Sequence, residues 1–328
     1  GRRISVLTLV SGAPRVATSG KAGNLFEFAL LILLGILWGV PFALTKISLT
    51  SIPPLTLVTA RVLIAAAMLW MFIGLSGYKI PNPKGLIGRL FIQGIITCVL
   101  PYTLIAYGQQ SVDSALAAIL NSTAPLFVCL ISVIWIRNEP ITRERLFGVT
   151  IGLGGVVLIA GASALAGLGQ AMVGQSAILL ATISSAISVI LGRRLAAIPA
   201  ELAAAGTLTC AAVVLVPLCA ALETPWHSAP SVASIIALLI NAVFATAVGF
   251  VIYFRLIRTI GSVSTASVGY LKPAVGVLVG CALMGEPFTW TTAIGLAAIL
   301  LGVAATHQSN SFKASWPALK MGIRARPV

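Results

Sequence analysis

The chain has 328 residues; 59% are hydrophobic and only 9% charged, and mean hydropathy is +1.06. Soluble domains carry about a quarter charged residues, so this composition excludes a pair of soluble domains and points to a polytopic membrane protein. The net charge of +14 raises the question of nucleic acid, but the basic residues sit in short gaps between apolar runs. That is the pattern of a membrane anchor, and no nucleic-acid partner is expected.

Residues 1–26 carry Arg2, Arg3, Arg15 and Lys21 and read as a cytoplasmic N-terminal tail. A bilayer core about 30 Å thick needs roughly 20 apolar residues per helix. Ten segments meet this, at about 28–48, 55–74, 87–107, 114–135, 145–163, 174–193, 201–221, 232–254, 262–283 and 289–307. Open strand edges cannot sit in lipid, so the expected fold is an all-α polytopic membrane protein of ten transmembrane helices. The connections are too short for a soluble domain. Residues 308–328 read as a cytoplasmic C-terminal tail. Cys98, Cys129, Cys210, Cys219 and Cys281 each lie in or beside an apolar run without a CxxC pair, and read as small buried hydrophobes.

Charge gives the orientation. With the N-terminus in the cytoplasm, the inner loops hold Lys79, Lys84, Arg89, Arg137, Arg143, Arg145, Arg193, Arg194, Arg255 and Arg258, and the last tail holds four more bases. The outer loops keep Lys46 as their base, with Asp113, Glu223 and Glu286. Arg61 and Lys272 fall inside helices. This bias is a positive-inside signal and places both termini on the cytoplasmic side of a cell membrane.

The halves echo each other. Ser114 to Pro125 and Ser262 to Pro273 share a spacing of 11, and each is followed by a Glu-Pro pair, Glu139-Pro140 and Glu286-Pro287. The offset is 148 residues, or five predicted helices. Five is odd, so the second copy enters the membrane from the opposite face. The expected architecture is two inverted five-helix repeats, 27–163 and 174–307, as in many alternating-access carriers.

At these residues the chain resembles the EamA-type permeases of the drug/metabolite transporter superfamily. The matching pieces are Trp38-Gly39, Lys46, Pro53-Pro54 and Arg61 in the first half. In the second half they are Tyr253-Phe254-Arg255-Leu256, Tyr270-Leu271-Lys272-Pro273 and Gly285-Glu286-Pro287. The resemblance runs from about residue 27 to 305 and rests on order and registration more than on any one motif. It implies ten helices, cytoplasmic termini and a central cavity moving small metabolites. It also implies that helices five and ten are peripheral, and it names no substrate.

Polar residues within apolar helices are the candidates for that cavity. Arg61 sits in helix two, where a charge points at a cavity or a partner; it either anchors the end of helix one or contacts substrate. Trp38 offers an apolar face and one donor, against a reading as packing. Lys272 precedes Pro273 in helix nine, and a charge beside a helix kink is a recurrent binding-site layout. It would neutralise an acidic substrate group, or pair within the bundle. Tyr102, Asn121, Asn241 and Tyr270 complete the expected substrate-binding set, with Gln93, Tyr107 and Tyr253 as further polar candidates. Pro101, Pro125 and Pro273 are the expected helix kinks. Lys46 reads as an outer anchor, and Glu139 and Glu286 as helix caps. Gly148 and Gly152 have GxxxG spacing, a packing face that leaves a homodimer open.

No mid-helix carboxylate is available for proton coupling, and no HExxH, GxSxG or P-loop occurs. No enzyme activity, cofactor or metal is expected. The reading is a secondary transporter for small metabolites such as amino acids or organic acids, working by alternating access; the resemblance implies the direction of export, across a bacterial inner membrane. The alternative is a non-transporting membrane scaffold or sensory protein.

Overall fold

A backbone in lipid has no water to bond to and must satisfy its own polar groups. Accordingly, every regular element among the described residues is helical. The computed structural model describes residues 21–77, 85–131, 143–166, 171–223, 229–272, 274–275 and 290–311. In chain order the helices are α1 (Leu25–Ser48), α2 (Pro54–Leu75), α3 (Leu86–Ser111) and α4, in two pieces (Ser114–Asn121 and Ala124–Ile131). They continue with α5 (Arg143–Ala166), α6 (Met172–Leu195), α7 (Ala200–Leu222) and α8 (Val232–Thr259). Next come α9, which starts at Ser262–Ala266 and resumes over 268–272, and α10 (Trp290–Ser311). Helices α1, α2, α3, α6, α7 and α8 are long and apolar enough to cross a membrane. The apolar stretches in α4, α5 and α10 are shorter, Leu116–Val128, Leu146–Leu158 and Ala293–Gly302.

Local chemistry sets several ends. Pro54 opens α2, where a missing N–H costs nothing. Ser231 caps α8, its hydroxyl accepting the Ser234 N–H at 3.2 Å. The break in α4 falls at residues 122–123, just before Pro125. There Ser122 Oγ donates to Ala118 O and Thr123 Oγ1 to Leu120 O, side-chain bonds that compete with the helix ladder. Pro101 follows a π-helical segment, Ile95–Val99, inside α3. Proline cannot donate to the carbonyl four residues back, and the wider turn changes the donor register there. Pro273, Glu139 and Glu286 lie outside the described residues.

Helices pair across the halves. Helix α2 packs on α7, α4 on α9 and α5 on α10, while α3 packs on α6 and α8 on α1. Exchanging the halves, so that each helix swaps with the one five places along, returns the same pairs. Small residues permit the approach: Ala203, Ala204, Ala205 and Gly206 of α7 are all buried. At the α5–α10 contact, a Cβ on Gly302 would lie 2.6 Å from Gly148 O and 2.8 Å from Gly152 Cα. The GxxxG face left open for a dimer is therefore occupied by α10 of the same chain.

Candidate functional site

Between the halves lies a cavity open to its surroundings; the free space there, open solvent included, is roughly 880 Å³. Its lining comes from α1, α2, α3, α4, α6, α8 and α9, and includes Trp38, Arg61, Tyr102, Asn121 and Lys272. Among the described residues, none from α5 or α10 lines it. The rest of the wall mixes apolar and aromatic side chains, Phe42, Leu57, Ile105, Val189 and Phe250 among them, with the neutral polar Thr45, Thr97, Gln109, Ser185 and Ser188.

Trp38 is held as a wall. Its Nε1 donates to Ala245 O at 2.8 Å, and its ring lies 5.3 Å from the Tyr253 ring and 6.3 Å from Phe250. A Cβ at position 249 would stand 2.7 Å from Trp38 Nε1, so Gly249 is what lets the indole reach α8. On the opposite side of α1, a Cβ at Gly39 would lie 2.8 Å from Val275 Cβ and 3.0 Å from Lys272 O. That close approach brings the Lys272 stretch against α1.

Two cations face the cavity. Arg61 is 9% exposed; its Nε donates to Thr246 Oγ1 at 2.6 Å, and its guanidinium carbon lies 4.2 Å from the Tyr102 ring centre. This is a cation–π stack. Lys272 Nζ donates to Asn121 Oδ1 at 2.5 Å and sits 5.5 Å from the Trp38 ring and 5.9 Å from Phe42. Asn121 Nδ2 in turn donates to Thr182 Oγ1 at 3.2 Å. Among the described residues no acidic side chain lines this space.

The model of the EamA-like transporter family matches residues 25–161 and 172–307. The chain belongs to the EamA-like transporter family. It is 28% identical over 277 residues to the "Uncharacterized inner membrane transporter YedA" of Escherichia coli strain K12, covering 84% of this chain and 89% of that one. An "Uncharacterized transporter" of Archaeoglobus fulgidus is 28% identical over 81% of this chain and 93% of its own length. "Uncharacterized transporter YoaV" of Bacillus subtilis is 24% identical over 83% and 94%. A crystal structure of another protein shares the fold, with a TM-score of 0.71 at 19% identity over 87% of this chain and 98% of that chain. The chain is thus a multi-pass membrane transporter of two family repeats.

Within this EamA-like frame the expected site residues divide. Trp38, Arg61, Tyr102, Asn121 and Lys272 come together at the cavity. Asn241 lies outside the lining, with Nδ2 donating to Thr45 Oγ1 at 3.5 Å. Tyr270 is fully buried with its ring against Gly152 of α5, where a Cβ would approach to 2.9 Å. It points away because neighbouring helical positions 270 and 272 differ by about 200° around the axis. Arg61 does not anchor the end of α1; its partner is Thr246 on α8. Lys46 does act as an anchor, donating to Gln109 O at 2.8 Å and Val112 O at 3.3 Å at the end of α3.

Several residues escaped the sequence reading. Thr246 looks like an ordinary membrane threonine; it donates to Asn241 O at 2.9 Å, and the same oxygen accepts from Arg61. Glu223 reads as a loop acid, yet it accepts from Leu55 N at 3.0 Å and Thr56 N at 2.7 Å. It thereby caps α2 from the other half of the chain. Glu27 pairs with Arg255 Nη2 at 2.9 Å, a contact that links α1 to α8. Only tertiary pairing reveals these roles, because each partner lies more than 150 residues away.

Proposed function

We propose that the chain is a secondary transporter that moves small metabolites, amino acids or organic acids, across the bacterial cytoplasmic membrane by alternating access, in the direction of export. The carrying observation is the cavity at the junction of the halves, lined by cations and aromatic rings from both. Solute binds there and is exposed to each side in turn as the halves rock. Ten crossings with both termini in the cytoplasm follow from the positive-inside bias.

The exchange symmetry of the helix pairs supports inverted halves. So does a finer correspondence at the 148-residue offset. Helix α3 carries a π-helical segment at Ile95–Val99, and α8 carries one at Asn241–Val248. Such segments mark functional sites and hinges. Gln93 and Asn241 stand at equivalent places, and each reaches the opposite half. Gln93 Nε2 donates to Ser188 O of α6 at 3.0 Å, and Asn241 Nδ2 to Thr45 of α1. With the N-terminus inside, Gln93 lies toward the cytoplasm and Asn241 toward the exterior.

The test is counterflow in proteoliposomes preloaded with mixed amino acids, organic acids, sugars and nucleosides. Saturable exchange absent from protein-free vesicles supports the reading. Unsaturable leak would replace a carrier by a channel, and no exchange of any solute would favour the scaffold.

A further inference from the structure

We propose that the cavity selects an organic anion with an apolar body and discriminates against zwitterions and cations. This rests on the transport reading above and narrows it to one substrate class.

The charge balance leads the argument. Arg61 and Lys272 both line the cavity, and no described acid lies within ion-pair distance of either. Uncompensated charge in a membrane interior is expensive and marks a functional position. Neither cation has all its donors used. Arg61 makes one hydrogen bond, through Nε, and its terminal nitrogens have no protein partner among the described residues. Lys272 makes one, to Asn121, and an ammonium has three protons. An incoming carboxylate supplies both the missing charge and the missing acceptors.

The two cations are mounted alike. Thr246 donates its proton to Asn241 O, so it can only accept from Arg61. Thr182 donates to Ile178 O at 2.8 Å, so it can only accept from Asn121 Nδ2. The Asn121 oxygen is thereby turned toward Lys272. Each cation is positioned by neutral groups alone, which fixes its direction without cancelling its charge. A structural pair would place a carboxylate there instead.

The aromatic part of the remaining lining, which also holds the neutral Thr45, Thr97, Gln109, Ser185 and Ser188, shapes the body of the solute. The Trp38 N–H is consumed by Ala245 O, and the Tyr253 hydroxyl lies 3.2 Å from Ser188 Oγ. These rings offer faces rather than polar edges, and faces favour an apolar or aromatic group. An α-ammonium would meet two like charges and no carboxylate, so it is penalised.

Three probes with one phenyl body separate the charge classes: 3-phenylpropanoate, L-phenylalanine and 2-phenylethylamine. Each is titrated against the purified full chain by thermal unfolding, then offered in counterflow. The expected result is that 3-phenylpropanoate binds at least about tenfold more tightly than the other two. Lys272→Gln and Arg61→Gln should each weaken it by about tenfold while leaving the unliganded protein monodisperse. Equal or tighter binding of phenylalanine or phenylethylamine overturns the proposal, and this comparison needs no variant to fold. So does binding of 3-phenylpropanoate that neither variant weakens. If phenylalanine or another panel solute exchanges and 3-phenylpropanoate does not, the anion rule falls while the transport reading stands. If nothing exchanges, both fall.

Discussion

Substituting Gly249→Ala asks whether Trp38 is a fixed wall of the cavity or a movable side chain. The added Cβ would stand 2.7 Å from Trp38 Nε1 and 3.4 Å from its Cδ1. Two effects compete. Alanine in a helix interior is worth about 1 kcal/mol over glycine. Against it, overpacking costs about 1–3 kcal/mol, and a buried N–H deprived of its acceptor costs about 1–3 kcal/mol more. The indole cannot retreat cheaply, because Tyr253 and Phe250 pack beside it and a shift toward the cavity would give up its bond to Ala245 O. The balance is therefore a net loss of about 1–5 kcal/mol. Gly154→Ala in α5 is the control: nothing lies within 4 Å of its would-be Cβ, so only the favourable propensity effect operates. Thermal unfolding in detergent reads the first, and tryptophan emission reports displacement of the ring. If Gly249→Ala proves as stable as Gly154→Ala with an unshifted spectrum, the wedge argument is wrong.

Glu223→Ala should cost about 1–2 kcal/mol by uncapping α2, seen as a lower unfolding temperature; Glu223→Gln, which keeps one acceptor, should recover part of it. Gly302→Leu should separate α5 from α10, because its side chain would collide with the backbone of Gly148 and Gly152; loss of monodisperse protein on size exclusion is the readout. Thr246→Val keeps volume and removes the hydroxyl that holds Arg61. It should raise KM for the transported solute by about tenfold with little change in unfolding temperature, and an unchanged KM would deny Arg61 its role.

The fold class was legible from composition alone, since apolar runs in lipid have one backbone solution. The repeat was legible from the offset between Pro125 and Pro273. The candidate site was legible only in part. Trp38, Arg61 and Lys272 stand out because charge and large polar rings are costly in an apolar helix. Their partners do not stand out: Thr246 and Thr182 look like ordinary membrane threonines, and Glu223 looks like a loop acid. Tyr270 shows the limit of periodicity. It lies two residues from Lys272, but the helix turns it onto Gly152, and sequence gives no rotational zero from which to read that. Helix breaks are similarly half visible: Pro125 announces the interruption in α4, while the π-helical segment at 241–248 has no proline to mark it.

The frame is symmetric and the cavity is not, and the two facts have different consequences. At the 148-residue offset Arg61 corresponds to Thr209 and Lys272 to Ala124, so the ligand-facing charges have no counterparts. The amides do: Gln93 and Asn241 bridge the halves at equivalent places, toward opposite faces of the membrane in the topology proposed above. A carrier needs two states of similar energy, and equivalent bridges supply that if each closes one side. Gln93 donates twice, to Thr97 Oγ1 at 2.8 Å and Ser188 O at 3.0 Å; Asn241 donates once, at 3.5 Å, and its Oδ1 has no partner among the described residues. Loss of the first bridge should cost its closed side about 1–1.5 kcal/mol, and loss of the second less. Gln93→Ala should therefore shift the population about tenfold toward cytoplasmic opening, and Asn241→Ala should shift it more weakly the other way. A single cysteine at Ser185, which lines the cavity, reports this in a background without the native cysteines. Its labelling by an impermeant thiol reagent should rise from the inside for Gln93→Ala and from the outside for Asn241→Ala. Shifts in the same direction would mean that the amides are packing elements, and that the switching surfaces lie elsewhere in the bundle.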